Sequence, residues 1–194
     1  MAVKGCNNFS VVLLVMIFIT GSYSASADED GREYLPTRYG ISMTGGNSFH
    51  PESDISYYLM SGFVMFDYDR VWKHRAPDPL RFKVEGSVGA ARYKKTRLVT
   101  SVNIFAVYYL DFIKGPNVKP FLEGGIGIIY SDFQIRGQGL RINFNPQLGV
   151  GAEFKAGKDD IFFFSLRLHH ISNGGLDNEN TGIDSVMGVL GYYF

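Results

Sequence analysis

The sequence predicts an all-β fold, an eight-stranded antiparallel transmembrane β-barrel. Three observations predict it. From Arg38 onward the chain falls into eight segments whose residues alternate between apolar and mixed polar character, divided by turn residues. Several of those segments exceed the roughly 9–11 residues that a tilted membrane-crossing strand needs. The composition is rich in Gly (23), Tyr (12) and Phe (16), and no apolar run reaches the roughly 18 residues of a spanning helix.

The first 27 residues are expected to lie outside the barrel as a signal peptide. Lys4 precedes an apolar run, Val11 to Thr20, followed by Gly21 and the small residues Ala25-Ser26-Ala27. That order of basic, apolar and small residues marks a secretory signal, with cleavage expected after Ala27. The single cysteine, Cys6, falls inside it. The mature chain is therefore expected to carry neither disulfide nor cysteine metal site. Removing Lys4 from 19 basic residues leaves 18 against 19 acidic ones, a net −1, which argues against a nucleic-acid partner. Residues 28–194 then form one barrel domain, of which 28–37 are a polar lead-in.

The eight strands are expected at 38–46, 55–68, 80–91, 97–110, 119–132, 139–155, 161–172 and 182–194. Successive side chains on a strand point to opposite faces, so parity sorts each segment. One face of the third to sixth segments is apolar, as in Phe82, Val84 and Val88, Val102 and Ile104, Ile126 and Ile128, and Leu148 and Val150. The other face carries Arg81, Lys83 and Glu85, Arg97 and Asn103, Glu123, and Arg141, Asn143 and Glu153. Parity alone fits a soluble barrel with a greasy inside equally well. Strand length decides for the inverted arrangement, as do the aromatics near strand ends, Tyr57, Tyr58, Phe66, Tyr68, Tyr108, Tyr130, Tyr192 and Tyr193, which suit interfacial girdles. The closing Leu190-Gly191-Tyr192-Tyr193-Phe194 also resembles the terminal-aromatic assembly signature of bacterial outer-membrane barrels.

With the apolar face towards lipid, the lumen holds Arg81, Lys83, Arg97, Arg141 and Arg167 facing Glu85, Glu123 and Glu153. Buried charges need partners, so this set reads as a neutralising plug more readily than as a reactive site. An even strand number places both barrel ends in the periplasm, Ala156 to Asp160 in a periplasmic turn and Asn173 to Thr181 outside. From Phe162 to His170 a tilted strand climbs about 20 Å, which puts His170 near the outer lipid–water boundary.

The seventh segment adds a polar end to that greasy face. Its even residues run Phe162, Phe164, Leu166, Leu168, His170, Ser172, and the same parity on the eighth gives Asp184, Val186, Gly188, Leu190. His169 has the other parity and reads as an interior, structurally satisfied histidine. A serine hydroxyl needs a base to take its proton, and an imidazole serves best when a carboxylate fixes its tautomer. His170, Ser172 and Asp184 share one face, and pairing of His170 with Asp184 would place Ser172 near Gly182. Asn173, Gly174, Gly175 and Asn180 offer backbone or amide donors for an oxyanion and are equally ordinary turn residues. His-x-Ser alone is a weak motif, which an interfacial polar cap would explain as well; polar groups facing lipid are nevertheless costly.

His170-Ile171-Ser172-Asn173-Gly174-Gly175, then Asn180-Thr181-Gly182-Ile183-Asp184-Ser185 and a closing aromatic strand, resembles the active-site region of the outer-membrane lipid A 3-O-deacylases, the PagL family. The resemblance implies a cofactor-free serine esterase facing the outer leaflet, with lipid A of lipopolysaccharide as substrate. It makes His170 the base, Ser172 the nucleophile and Asp184 the orienting acid, with Asn173 and Asn180 near the oxyanion. The family's acid is a glutamate and Asp184 is shorter, so Glu179 and Asp177 stay as alternative acids. Two other readings stay open: a non-enzymatic barrel serving adhesion or envelope integrity, and acyl transfer between lipids. The lipid-facing strands also leave homodimerisation open.

Overall fold

The computed structural model describes residues 36–68, 76–157 and 160–194. The expected signal peptide and most of the lead-in lie outside them. The strands are β1 (Arg38–His50), β2 (Ser56–Asp67), β3 (Leu80–Tyr93), β4 (Lys95–Tyr109), β5 (Val118–Ser131), β6 (Ile142–Phe144), β7 (Gln147–Ala156), β8 (Asp160–Ile171) and β9 (Ile183–Tyr193). All pairings are antiparallel. The order β4-β3-β2-β1-β9-β8-β7-β5 closes through β4–β5.

The barrel has eight staves because β6 and β7 are two parts of one. Ile128↔Phe144 and Gly125↔Gln147 belong to a single register, interrupted at Asn145-Pro146. Proline has no N–H to give the ladder. The sequence-based expectation of one unbroken strand over 139–155 is corrected there, and also at 139–141, which lies outside β6.

The first strand corrects the expectation differently. It continues past residue 46 to His50. Between Ser48 and His50 the β1–β9 register slips by one, from Ser48↔Ser185 to His50↔Asp184. This β-bulge frees His50 from the parity of the residues below it. Phe49 and His50 are both exposed, although a regular strand would turn one of them inwards.

The apolar face points outwards on every stave. Met43, Met60, Val88, Val102, Ile128, Leu148, Leu168 and Leu190 are among the large hydrophobics left exposed on the barrel surface. A contiguous apolar surface around the circumference is a lipid-facing belt, not the skin of a soluble protein.

The lumen is filled in three layers. Ile55, Tyr57, Tyr93, Ile129, Ile171, Ile183 and Met187 belong to a cluster near the rim carrying the β8–β9 loop. Phe63, Phe105, Tyr109, Phe121, Phe163 and Tyr193 belong to one towards the opposite rim. Between them lies an ion layer. Arg167 binds Glu85 through both terminal nitrogens, at 2.9 and 3.1 Å, and Glu123 through Nε at 2.8 Å. Lys83 donates to Glu123 at 2.8 Å, and Ser165 adds a bond to the same carboxylate at 2.6 Å. Two cations against two carboxylates leave no net charge, as burial demands. Gly40 and Gly191 face the rings of Phe63 and Phe163, which occupy the space a Cβ would need.

Two further expectations change. Arg97 and Arg141 are not luminal; both are exposed and pair with Asp132 at the rim. Tyr57 and Tyr193 do not join an interfacial girdle, since both are buried inside, whereas Tyr58 and Tyr108 face outwards.

Candidate active site

The site forms where β8 and β9 leave the barrel. Antiparallel pairing brings Leu168 opposite Val186 and, one dyad further, His170 opposite Asp184. Both side chains are on the lipid-facing surface, 42% and 35% exposed. His170 Nδ1 lies 2.6 Å from Asp184 Oδ1. With Asp184 ionised and the imidazole neutral, the carboxylate can only accept, so Nδ1 donates and Nε2 keeps a free lone pair. That is the tautomer a general base needs.

The imidazole leans along the strand towards position 182. A Cβ on Gly182 would lie 2.6 Å from Cε1 of His170 and 3.2 Å from Nε2. The ring therefore occupies the place of a missing side chain, with its acceptor edge turned towards the strand ends.

Ser172 stands one step beyond His170 on the same face. It is held by an isolated bridge to Phe144: Ser172 N donates to Phe144 O at 3.0 Å and Phe144 N to Ser172 O at 2.8 Å. Pro146 and His170 form the row below, where His170 N donates to Pro146 O at 3.0 Å. Ser172 is half-buried. Among the described residues its hydroxyl has no hydrogen-bond partner, and His-to-Ser contacts commonly tighten only when substrate is bound.

The loop after Ser172 is built by Asn173, which is 1% exposed. Its Nδ2 donates to Glu179 O at 2.9 Å, its Oδ1 accepts from Gly175 N at 2.9 Å, and its backbone N–H donates to Asn180 Oδ1 at 2.8 Å. Gly174 and Gly175 adopt left-handed φ of 64° and 84°, a region that favours glycine. The loop is zipped to the β5–β6 connection by Gly139 N to Glu179 O and Thr181 N to Gly137 O, both 2.7 Å. Among the described residues no protein acceptor meets the Gly174 N–H or the Asn180 Nδ2 amide. Both alternative acids sit in this loop, where Asp177 Oδ1 accepts from Glu179 N at 2.8 Å. The carboxylate that meets His170 is Asp184.

His169 lies on the other face, 5% exposed, edge-on to Tyr57 at 5.9 Å. Its Nδ1 has no partner among the described residues. Below the site an apolar groove of about 300 Å³ is lined by Phe49, Pro146, Leu148, Leu168, His170 and Asp184. It shares Leu148 and Leu168 with a second groove of about 410 Å³ that reaches Leu122, Val150 and Leu166 deeper in the belt. Among the described residues no group of three or more His, Cys, Asp or Glu is arranged to hold a metal ion.

Two features were missed by sequence reasoning. Gly182 supplies the space for the imidazole, and only the strand register reveals it. His50 Nδ1 lies 3.3 Å from Asp184 Oδ2, which strand parity hides because the bulge is invisible in the alternation.

The closed barrel with a filled lumen and a lipid-facing His–Asp pair defines an outer-membrane barrel whose polar site opens to the bilayer. The chain belongs to the lipid A 3-O-deacylase (PagL) family, whose sequence model matches residues 56–193. It is 34% identical over 84 residues to the lipid A deacylase PagL of Pseudomonas aeruginosa PAO1. That match covers 42% of this chain and 46% of the relative, so it spans about half the length of the relative. The crystal structure of the outer-membrane enzyme PagL superposes with a TM-score of 0.56 at 23% identity, over 78% of this chain and 97% of that one. Neisserial surface protein A (NspA) superposes with a TM-score of 0.58 at 14% identity, over 84% of this chain and 98% of that one. These two likenesses carry the fold.

Proposed function

We propose that the protein is an outer-membrane lipid A 3-O-deacylase, a serine esterase that hydrolyses the ester-linked 3-hydroxyacyl chain at position 3 of lipid A. Membership of the family supports the reaction class. The observation that carries the reading for this chain is the His170–Asp184 pair on the lipid-facing surface, one step from Ser172. A substrate that is itself a membrane lipid explains why the polar site faces lipid, where an idle histidine and aspartate would be costly.

In this reading the β8–β9 rim lies at the outer leaflet. Ser172 Oγ attacks the ester carbonyl while His170 Nε2 accepts its proton, and Asp184 stabilises the resulting imidazolium. The Gly174 N–H and the Asn180 amide are the donors free to meet the oxyanion. Asn173 shapes the loop that presents them. His170 then protonates the departing O3 of the sugar, and water attacks the acyl-enzyme to release the 3-hydroxy fatty acid. The acyl chain lies along the apolar grooves between Leu148 and Leu168. Lipid A from cells making the wild-type protein loses one 3-hydroxyacyl group, and lipid A from cells making Ser172→Ala keeps it. Identical lipid A in the two would leave the non-enzymatic barrel as the better reading. A heavier acceptor lipid without free fatty acid would mean transfer in place of hydrolysis.

A further inference from the structure

We infer that His50 is a positioning residue of the site, acting on Ser172 only through the Asp184 carboxylate. The inference rests on the esterase reading above and adds a residue outside the stretch matched to the family, which begins at residue 56.

Asp184 is flanked on both sides. On β8, His170 Nδ1 meets Oδ1 at 2.6 Å; on β1, His50 Nδ1 lies 3.3 Å from Oδ2. Pro146, His170, Asp184 and His50 thus form one row across adjacent staves. A carboxylate held at one oxygen can still turn about its Cβ–Cγ bond, whose torsion is broad. Contact at the second oxygen fixes the plane and aims Oδ1 at the imidazole. An aspartate suits this arrangement, because its carboxylate stays close to its own backbone and within reach of both neighbouring strands.

The backbone is bent to make the contact. Without the slip between Ser48 and His50, position 49 would oppose Asp184, and a phenylalanine offers the carboxylate nothing. The bulge leaves Phe49 in the groove wall and sets the imidazole beside Asp184. A histidine whose side chain is 68% exposed contributes little to stability. Its removal leaves no cavity, so variants at this position fold, and the contact has its effect on the geometry of Asp184.

The test uses the full-length barrel in detergent micelles and a fluorophosphonate probe. Attack by Ser172 Oγ forms an O–P bond, expels fluoride and passes the hydroxyl proton to His170, so labelling reports nucleophile activation whatever the natural lipid. His50→Ala is expected to slow labelling about tenfold, the lower end of the loss seen when the partner that orients a metal-binding histidine or carboxylate is removed, taken here as the scale for an oriented carboxylate. His50→Asn, whose side-chain amide can donate at nearly the same place, should stay within about threefold of wild type. In an Asp184→Asn background His50→Ala should change the residual rate by less than about twofold, since residues acting through one partner are not additive. With lipid A as substrate the loss should fall on kcat, with KM unchanged. A wild-type rate in His50→Ala, an equal loss in the Asp184→Asn background, or a change confined to KM would each overturn the inference. Wild-type labelling at Ser172 without lipid A hydrolysis would remove the substrate assignment and leave the role of His50 standing. Absence of labelling in the wild type would remove both.

Discussion

Replacing Gly182 by alanine tests the geometry of His170, the proposed base, with a single methyl group. The added Cβ would lie 2.6 Å from Cε1 of His170 and 3.2 Å from Nε2, whereas carbon atoms rest at about 3.5–4.0 Å. The ring must therefore retreat by about 1 Å. Gly182 does not use a left-handed backbone conformation, so alanine adds no backbone strain. The imidazole is on the outer surface, 42% exposed, and can swing away without disturbing the lumen. Stability should hold while the rate falls, because a displacement of about 1 Å of a catalytic group costs on the order of 10²-fold, or about 2.7 kcal/mol of barrier. The assay is the initial rate of 3-hydroxy fatty acid release from purified lipid A by folded protein in detergent. Folding is checked by the electrophoretic shift between heated and unheated barrel. Gly45→Ala is the control, since nothing lies within 4 Å of a Cβ there. A folded Gly182→Ala barrel with wild-type turnover would refute the placement of the base.

The other expectations separate the roles of neighbouring residues. Asp184→Asn should lower kcat by roughly 10³–10⁴-fold, the effect of losing the orienting carboxylate in a serine hydrolase, whereas Glu179→Gln and Asp177→Asn should leave steady-state rates nearly unchanged. A large loss at Glu179 with little at Asp184 would move the acid into the loop. His170→Asn should abolish release with the barrel intact, and His169→Asn should leave turnover near wild type, because the two rings lie on opposite faces; single-turnover kinetics distinguish them. Arg167→Met should destabilise the barrel by about 3–5 kcal/mol in urea unfolding from lipid vesicles, because it leaves Lys83 alone against two buried carboxylates. Adding Glu85→Gln should recover part of that loss.

Parity carried most of what was legible in the sequence. It separated the lipid-facing belt from the luminal charges, so Lys83, Glu85, Glu123 and Arg167 were assigned to the interior, where they form the ion layer. It also divided His169 from His170, and the structure puts them on opposite faces. Parity works where strands are regular, since it counts residues and nothing else. It failed at both irregularities. The proline at 146 breaks the sixth stave, and the bulge before His50 turns outwards a residue that lies beyond the first expected segment, 38–46. It also says nothing about where a strand rises past the lumen, which is why Arg97 and Arg141 pair with Asp132 at the rim instead of joining the plug. The choice of Asp184 over Glu179 as partner of His170 depended on cross-strand register, a long-range property that the alternation of one strand does not contain. The empty position at Gly182 is of the same kind.

The activity proposed for this barrel is removal of a 3-hydroxyacyl chain from lipid A by way of Ser172. The most direct measurement is the mass spectrum of lipid A from cells expressing the wild-type chain beside cells expressing Ser172→Ala at equal levels of folded barrel. Wild-type cells should show lipid A lighter by one 3-hydroxyacyl group, with the free 3-hydroxy fatty acid recovered, and the variant should show neither. Identical spectra from the two strains would contradict deacylation by Ser172.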